Sequence, residues 1–193
     1  MTDGRAPGVG YSFALADTLS LSFQRYPCPE SAVVHELPRS WGALPVAPGG
    51  SRSLVVPVAD GEAVWVGLSR PPDAPAWELR VLAHLRPGGP TDAVTGAGGT
   101  DAAGDLAVLR VPPQRSLEGI ARRAGGWWSL TRLAAGPGAP GCSGLEVWPQ
   151  PAGGPPEPPW TVQLVDPAAF TAQTGAEVPP LAPDAPYGGW RLP

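Results

Sequence analysis

The amino-acid sequence predicts a mainly β domain, an antiparallel β-sandwich or jelly-roll-like fold with two short helices and long loops rich in proline and glycine. Three observations lead to this class. Apolar and polar residues alternate with period two in several segments, which is the spacing of a strand with one buried face. Eight strand-like segments recur along the 193 residues. Turns and irregular loops separate them, built from the 28 prolines and 26 glycines of the chain.

The alternation is clearest in two segments. In "DTLSLSFQRY", residues 17–26, the apolar residues Leu19, Leu21 and Phe23 share one face, and hydroxyl and amide side chains share the other. Residues 77–86, "WELRVLAHLR", repeat the pattern with charged side chains on the polar face. Both segments are therefore predicted to be half-buried strands.

Two segments between them are more continuously apolar. Residues 53–58, "SLVVPV", and 62–70, "EAVWVGLSR", are typical of strands that are covered on both faces. Because a proline cannot donate a hydrogen bond to a sheet, Pro57 predicts that the first of them lies at an edge or a bulge. Four later segments complete the set of predicted strands: "DLAVLRV", "WWSLTRL", "GLEVW" and "WTVQLV".

Two short helices are predicted from their end signals. The first covers residues 117–124, with Ser116 as N-cap, a glutamate in the first turn, two arginines in the last turn and a glycine beyond them. The second has Asp166 as N-cap and Pro167 at the first helical position, and it ends at Gly175. Helices this short require packing against the sheets for stability.

The chain is predicted to form a single domain over residues 1–193. The high proline and glycine content is typical of disordered chains, but an apolar fraction of 42% distributed along the sequence favours a folded core. Within this domain we expect a flexible N-terminus over residues 1–10 and a flexible glycine-rich loop over residues 87–105. We expect the proline-rich tail, residues 176–193, to pack back on the body.

The composition excludes several kinds of chemistry. The chain contains no lysine, no asparagine and a single isoleucine, which indicates a GC-rich genome and predicts a bacterial source. Without lysine there is no Schiff-base lysine and no phosphate-loop lysine, and without asparagine there is no N-glycosylation site. With a net charge of −4 and scattered arginines, we expect no nucleic-acid partner.

The N-terminal segment does not have the pattern of a signal peptide, and no apolar run is long enough for a membrane span. We therefore expect a cytoplasmic protein with no membrane span. In that compartment Cys28 and Cys142 are expected as thiols, although the sequence leaves open whether they form a disulfide.

Few residues suggest catalysis or metal binding. The soft metal ligands are Cys28, His35, His84 and Cys142, and no two of them have the short spacing of a zinc site. The motif "GCSG" resembles a nucleophile turn only superficially. His84 is on the polar face of its predicted strand, where Glu62 or Glu78 would act as a neighbour. We predict no metal, no cofactor and no catalytic residue, with an enzyme using His35 or His84 as an alternative.

The eight tryptophans are the strongest candidates for a binding surface, because a tryptophan combines a large apolar face with a polar N–H. Trp127 and Trp128 are adjacent, so in a strand they point to opposite faces and at least one is expected to be exposed. The last residues, "PYGGWRLP", bring Tyr187, Trp190 and Arg191 together across two glycines. We expect them to pack back on the body, with a docking tail as the alternative.

These observations predict a non-catalytic module that binds another protein, or a second copy of itself, as an accessory or assembly subunit. The predicted binding residues are Trp127, Trp128, Tyr187, Trp190 and Arg191. One alternative is a carbohydrate or small-ligand binder, which requires a row of at least two exposed tryptophans. Another is a hydrolase-type enzyme, which requires a histidine with a cysteine or carboxylate partner in a cleft.

Overall fold

A computed structural model of the protein describes residues 8–99 and 103–181. The chain is mainly β, with antiparallel and mixed sheets, and the described ranges contain one α-helix. Its strands are numbered β1 to β14 in chain order. No helix within the described ranges combines the length and apolar content that crossing a membrane requires.

The strands form three sheets. The four-stranded sheet has the order β1 (Phe13–Ala16), β2 (Leu19–Pro27), β6 (Glu62–Ser69) and β10 (Ser116–Leu117). Six strands of the seven-stranded sheet follow the order β4 (Ala47–Gly50), β5 (Ser53–Pro57), β14 (Trp160–Val165), β13 (Gly141–Pro151), β7 (Trp77–Arg86) and β8 (Gly89–Asp92). The seventh strand, β9 (Leu109–Val111), pairs with β7 beside β8. The three-stranded sheet has the order β11 (Ile120–Ala121), β12 (Trp127–Trp128) and β3 (Val33–Val34).

The period-two predictions for β2 and β7 are confirmed. In β2 the side chains of Leu19, Leu21 and Phe23 are all buried, and the residues between them are half-buried. In β7 the apolar residues at alternate positions are buried as far as Ala83, and Leu85 is half-buried. Leu82 departs from the alternation and is buried on the opposite face. The alternating pattern predicts both strands correctly because one face of each strand contacts the core.

One apolar cluster contains residues from both large sheets. Phe23 of β2 and Val66 of β6 belong to it, as do Leu79 of β7 and Leu145 of β13. A smaller cluster of Ala47, Val55 and Phe170 is formed by β4, β5 and the α-helix. The helix therefore covers one end of the seven-stranded sheet.

The predicted helix over residues 117–124 is wrong. Ser116 and Leu117 form β10 against β6, Ile120 and Ala121 form β11, and the chain then turns so that the Arg122 N–H donates to the Gly126 carbonyl. Leu117 and Ile120 are both buried. Pairing with neighbouring strands buries these side chains and satisfies the backbone hydrogen bonds. This stabilisation exceeds the weak local preference for a short helix.

The second predicted helix is confirmed as α1 (Pro167–Thr174). Asp166 is its N-cap, and its carboxylate accepts hydrogen bonds from the Ala168 N–H at 2.8 Å and the Ala169 N–H at 3.4 Å. Gly175 ends the helix with a φ of 70°, in the left-handed region that glycine adopts without strain. The local cap chemistry was sufficient to place this element.

The expectation that Pro57 places its strand at an edge or bulge is wrong. β5 lies inside the seven-stranded sheet, antiparallel to β4 and parallel to β14. Pro57 is the last residue of the strand, and the next residue, Val58, donates its N–H to the Val165 carbonyl at 2.9 Å. A proline at a strand end leaves the ladder intact because the following residue supplies the donor.

The segment 87–105, predicted as a flexible glycine-rich loop, contains β8 and a short 3-10 helix, Ala103–Asp105. Buried Asp92 organises this segment, since its carboxylate accepts hydrogen bonds from the Val94 N–H, the Thr95 hydroxyl and the Ala107 N–H.

Two later segments contain shorter strands than predicted. In "DLAVLRV" only β9 is a strand, and in "WWSLTRL" only β12 is a strand.

Candidate functional site

A groove of about 530 Å³ lies where β7, β13 and β14 pass side by side on the outer face of the seven-stranded sheet. Alternation along these strands directs the apolar side chains to the core and the polar ones to this face. The polar and charged side chains that line the groove include His84, Arg86, Arg132, Ser143, Thr161 and Gln163.

A β-bulge shapes the floor of the groove. The register of β13 against β7 shifts between Cys142 and Gly144, which leaves Ser143 without a paired residue. At Gly144 a Cβ would lie 2.3 Å from the main-chain oxygen of Val162, so only glycine lets β14 approach β13 this closely.

His84 and Glu146 form a pair beside the bulge. His84 Nε2 and Glu146 Oε1 are 2.8 Å apart, and the two side chains are 39% and 30% exposed. Residue 84 pairs with residue 144 across the two strands, so Glu146 occupies the diagonal position on the same face. The carboxylate thus orients the imidazole within the groove.

No nucleophile is directed at this imidazole within the described ranges. The Ser143 hydroxyl donates to the main-chain carbonyl of His84 at 3.2 Å, not to its ring. The Cys142 thiol is buried and donates to the Gly144 carbonyl at 3.2 Å, and burial raises its pKa to about 11. A protonated, buried thiol is a poor nucleophile.

The arginines of the groove differ in their partners. The guanidinium of Arg132 forms ion pairs with Asp60 and, at 3.6 Å, with Asp166, and it donates to the Val58 carbonyl at 3.1 Å. Arg86 is exposed and forms no ion pair with any residue of the described ranges. Its charge is therefore available to a ligand.

Thr161 and Gln163 extend this polar surface along β14. Both side chains are exposed and face the groove, since the residues between and after them, Val162 and Leu164, are buried. A hydroxyl and an amide provide both donors and acceptors. The groove is thus lined with groups suited to recognition.

No known protein family, no curated protein and no solved structure matches this chain. The function of the chain is therefore inferred from the groups that the fold brings together. In the described part of the chain, no three histidine, cysteine or acidic side chains converge in a way that would hold a metal ion.

Trp127 and Trp128, predicted for binding, form β12 and are both half-buried. Trp128 packs against the main core cluster, and the Arg122 guanidinium lies 4.3 Å from its ring centre. Trp127 belongs to neither core cluster and pairs with Val34 and Ala121 in the three-stranded sheet. The structure does not bring either ring to the groove lining.

The other predicted binding residues, Tyr187, Trp190 and Arg191, lie outside the described residues. His35 is exposed, and its ring lies beside Gly126, where a Cβ would be 2.8 Å from Nδ1. Among the described residues His35 forms no ion pair with a carboxylate, in contrast to His84.

Sequence reasoning named His84 but assigned it the wrong neighbours. Glu62 instead pairs with Arg25, and Glu78 pairs with Arg110. Glu146, the observed partner of His84, is 62 residues away in the chain. The alternation in "GLEVW" places Glu146 on a polar face, but only strand order shows that this face adjoins His84.

Proposed function

We propose that the protein is a non-catalytic module that binds a polypeptide partner in the groove over β7, β13 and β14. In this proposal residues 1–193 form one domain, a β-sandwich whose two large sheets share the main apolar cluster. The proposed role is that of an accessory or assembly subunit in the cytoplasm of a bacterium. The observation that supports binding is the set of exposed, uncommitted groups at Arg86, Thr161 and Gln163.

The chemistry of the groove favours recognition over nucleophilic catalysis. A Ser-His-carboxylate or Cys-His site needs the hydroxyl or thiol within hydrogen-bond reach of the imidazole. Here Ser143 and Cys142 both donate to main-chain carbonyls. His84 and Glu146 therefore serve as part of the recognition surface.

The shape of the groove favours a polypeptide over a small molecule. Small-molecule sites enclose most of the surface of their ligand and are predominantly apolar. This groove is open, lies across a sheet face and has polar side chains along β14. An extended segment of a partner would contact Thr161, Gln163 and Arg86 in turn.

Site-specific photo-crosslinking tests this proposal. A photoreactive amino acid at Gln163 should produce a discrete adduct of the mass of a second polypeptide when the full chain is expressed in its source cells. The matched control is the same substitution at Asp73, an exposed position in the turn between β6 and β7. Adducts of equal yield at both positions, or none at Gln163, would reject the groove as a polypeptide site.

A second candidate function is hydrolysis of a small ester or phosphoester with His84 as general base. The observation in its favour is the 2.8 Å contact between His84 and Glu146 inside a groove, because a carboxylate that holds one ring nitrogen leaves the other available to a water molecule. His84→Ala should then abolish turnover of such substrates, and His35→Ala should not. Equal activity of the two variants would exclude this role for His84.

No observation favours the carbohydrate alternative. Every tryptophan within the described ranges is buried or half-buried, so these residues do not supply a row of exposed rings.

A further inference from the structure

The C-terminal strap, defined here as residues 176–181, crosses from α1 to the four-stranded sheet. It follows Gly175 directly, and its Val178 packs against both apolar clusters. The two prolines after Val178 are exposed, yet their carbonyl oxygens are both bound by one side chain. Arg25 of β2 donates from Nη1 to the Pro179 oxygen at 2.6 Å and from Nη2 to the Pro180 oxygen at 3.2 Å.

The body of the protein holds this guanidinium in place through contacts that do not involve the strap. Arg25 Nη1 also donates to Glu62 Oε1 at 3.3 Å, and with the strap in place the two side chains are only 11% and 3% exposed. The other oxygen of Glu62 accepts a hydrogen bond from the Ala59 N–H at 3.2 Å. Arg25 is therefore oriented for its ligand before the strap binds.

The strap has the chemistry of a proline-rich ligand. A proline has no N–H, so a Pro-Pro segment presents its main-chain carbonyls as acceptors and its rings as rigid spacers. The planar fork of an arginine can donate to two such acceptors at once, whereas a lysine ammonium is a single point charge. Val178 adds an apolar anchor one residue before the prolines.

We propose that Arg25 and the apolar seat of Val178 form a recognition site for polypeptides in which an apolar residue precedes two prolines. The protein's own strap occupies this site, and a partner segment of the same chemistry displaces it. The occupant itself defines the ligand, because its Val-Pro-Pro sequence makes the contacts that a partner would make. This site lies apart from the groove over β7, β13 and β14, and it does not depend on the function proposed for that groove.

A competition experiment on the full chain tests this proposal. The probe is a fluorescently labelled, end-blocked peptide with the strap sequence "AEVPPL", and its binding is followed by fluorescence anisotropy. Val178→Asp should loosen the strap and lower the dissociation constant for the peptide by about tenfold or more, since the intramolecular competitor is weakened. The matched control, Glu177→Asp, alters an exposed neighbour and should bind the peptide as the unmodified chain does.

The arginine is tested in the loosened background. Adding Arg25→Lys to Val178→Asp keeps the charge beside Glu62 but removes the fork, so the affinity for the peptide should fall about tenfold. A peptide of the same composition in the order "PAVELP" should not bind. Circular dichroism verifies that each variant is folded.

Three outcomes would overturn the proposal. The first is a folded Val178→Asp variant that does not bind "AEVPPL". The second is equal binding of the two peptides, and the third is an affinity that Arg25→Lys leaves unchanged. If either Val178 variant is unfolded, the milder substitution Val178→Ala replaces Val178→Asp in both titrations, and the same three outcomes would then overturn the proposal.

Discussion

Replacing Phe170 with alanine tests whether α1 is held to the body by a single ring. The side chain of Phe170 is completely buried, and among the described residues it is the one buried aromatic side chain of the smaller cluster, which it forms with Ala47 and Val55. These two neighbours are small and belong to paired strands, so they cannot move to fill the space that the ring leaves. The variant therefore creates a cavity.

The cost follows from the loss of the ring and from that cavity. Truncating a buried phenylalanine to alanine costs about 3–5 kcal/mol of unfolding free energy. In a domain of this size each kcal/mol lowers the melting temperature by about 2–4 °C, so we expect a decrease of about 6–20 °C. Thermal and urea unfolding followed by circular dichroism measure both quantities.

Gln173→Ala is the matched control, because it changes an exposed side chain of the same helix. We expect its unfolding free energy to stay within about 0.5 kcal/mol of that of the unmodified chain. A loss of about 1 kcal/mol or less in Phe170→Ala would refute the reasoning. It would show that the helix contributes little to the cooperative unit.

Three further predictions concern the pH dependence of stability, the reactivity of the two thiols and the glycine of the β-bulge. Burial raises the pKa of Tyr26 to about 12 and that of Cys142 to about 11, so at high pH the folded state retains protons that the unfolded state loses. The free energy of unfolding should therefore be at its full value below about pH 9 and decrease as the pH rises toward 12, by about 2–3 kcal/mol from Cys142 alone. Urea titrations at several pH values would detect this decrease. In the native protein a thiol reagent should label half-buried Cys28 first and Cys142 only on unfolding; equal rates would contradict the structure. Gly144→Ala should force β14 away from β13 and lower the melting temperature, whereas Gly104→Ala, where a Cβ meets nothing within 4 Å, should not; similar melting temperatures would contradict the close approach of these strands.

Local sequence was sufficient for the elements whose signals are local. The alternation of Leu19, Leu21 and Phe23 predicted β2, and the cap chemistry of Asp166 and Gly175 predicted α1. The same kind of reasoning failed at residues 117–124. There the helix signals were present, but the neighbouring strand β6 offered backbone hydrogen bonds and burial that a short helix could not match.

The candidate site could be predicted only in part. The sequence identified His84 as a polar-face histidine, since this follows from the alternation within β7. It did not identify Glu146 as its partner, or Thr161 and Gln163 as its neighbours on β14, because strand order is set by long-range pairing. The contact between Arg25 and the strap spans 154 residues and was not predicted for the same reason.

The sequence alone determined the mainly β class, the faces of the long alternating strands and the chemistry that the absence of lysine and asparagine excludes. These properties depend on the residue types themselves or on contacts between near neighbours in the chain. The tertiary structure alone decided the pairing of His84 with Glu146, the place of Pro57 inside a sheet and the anchoring of the strap by Arg25. Each of these contacts joins segments that are far apart in the chain. Which distant segments pair depends on the burial and hydrogen bonding of the whole fold, so a local sequence pattern cannot predict it.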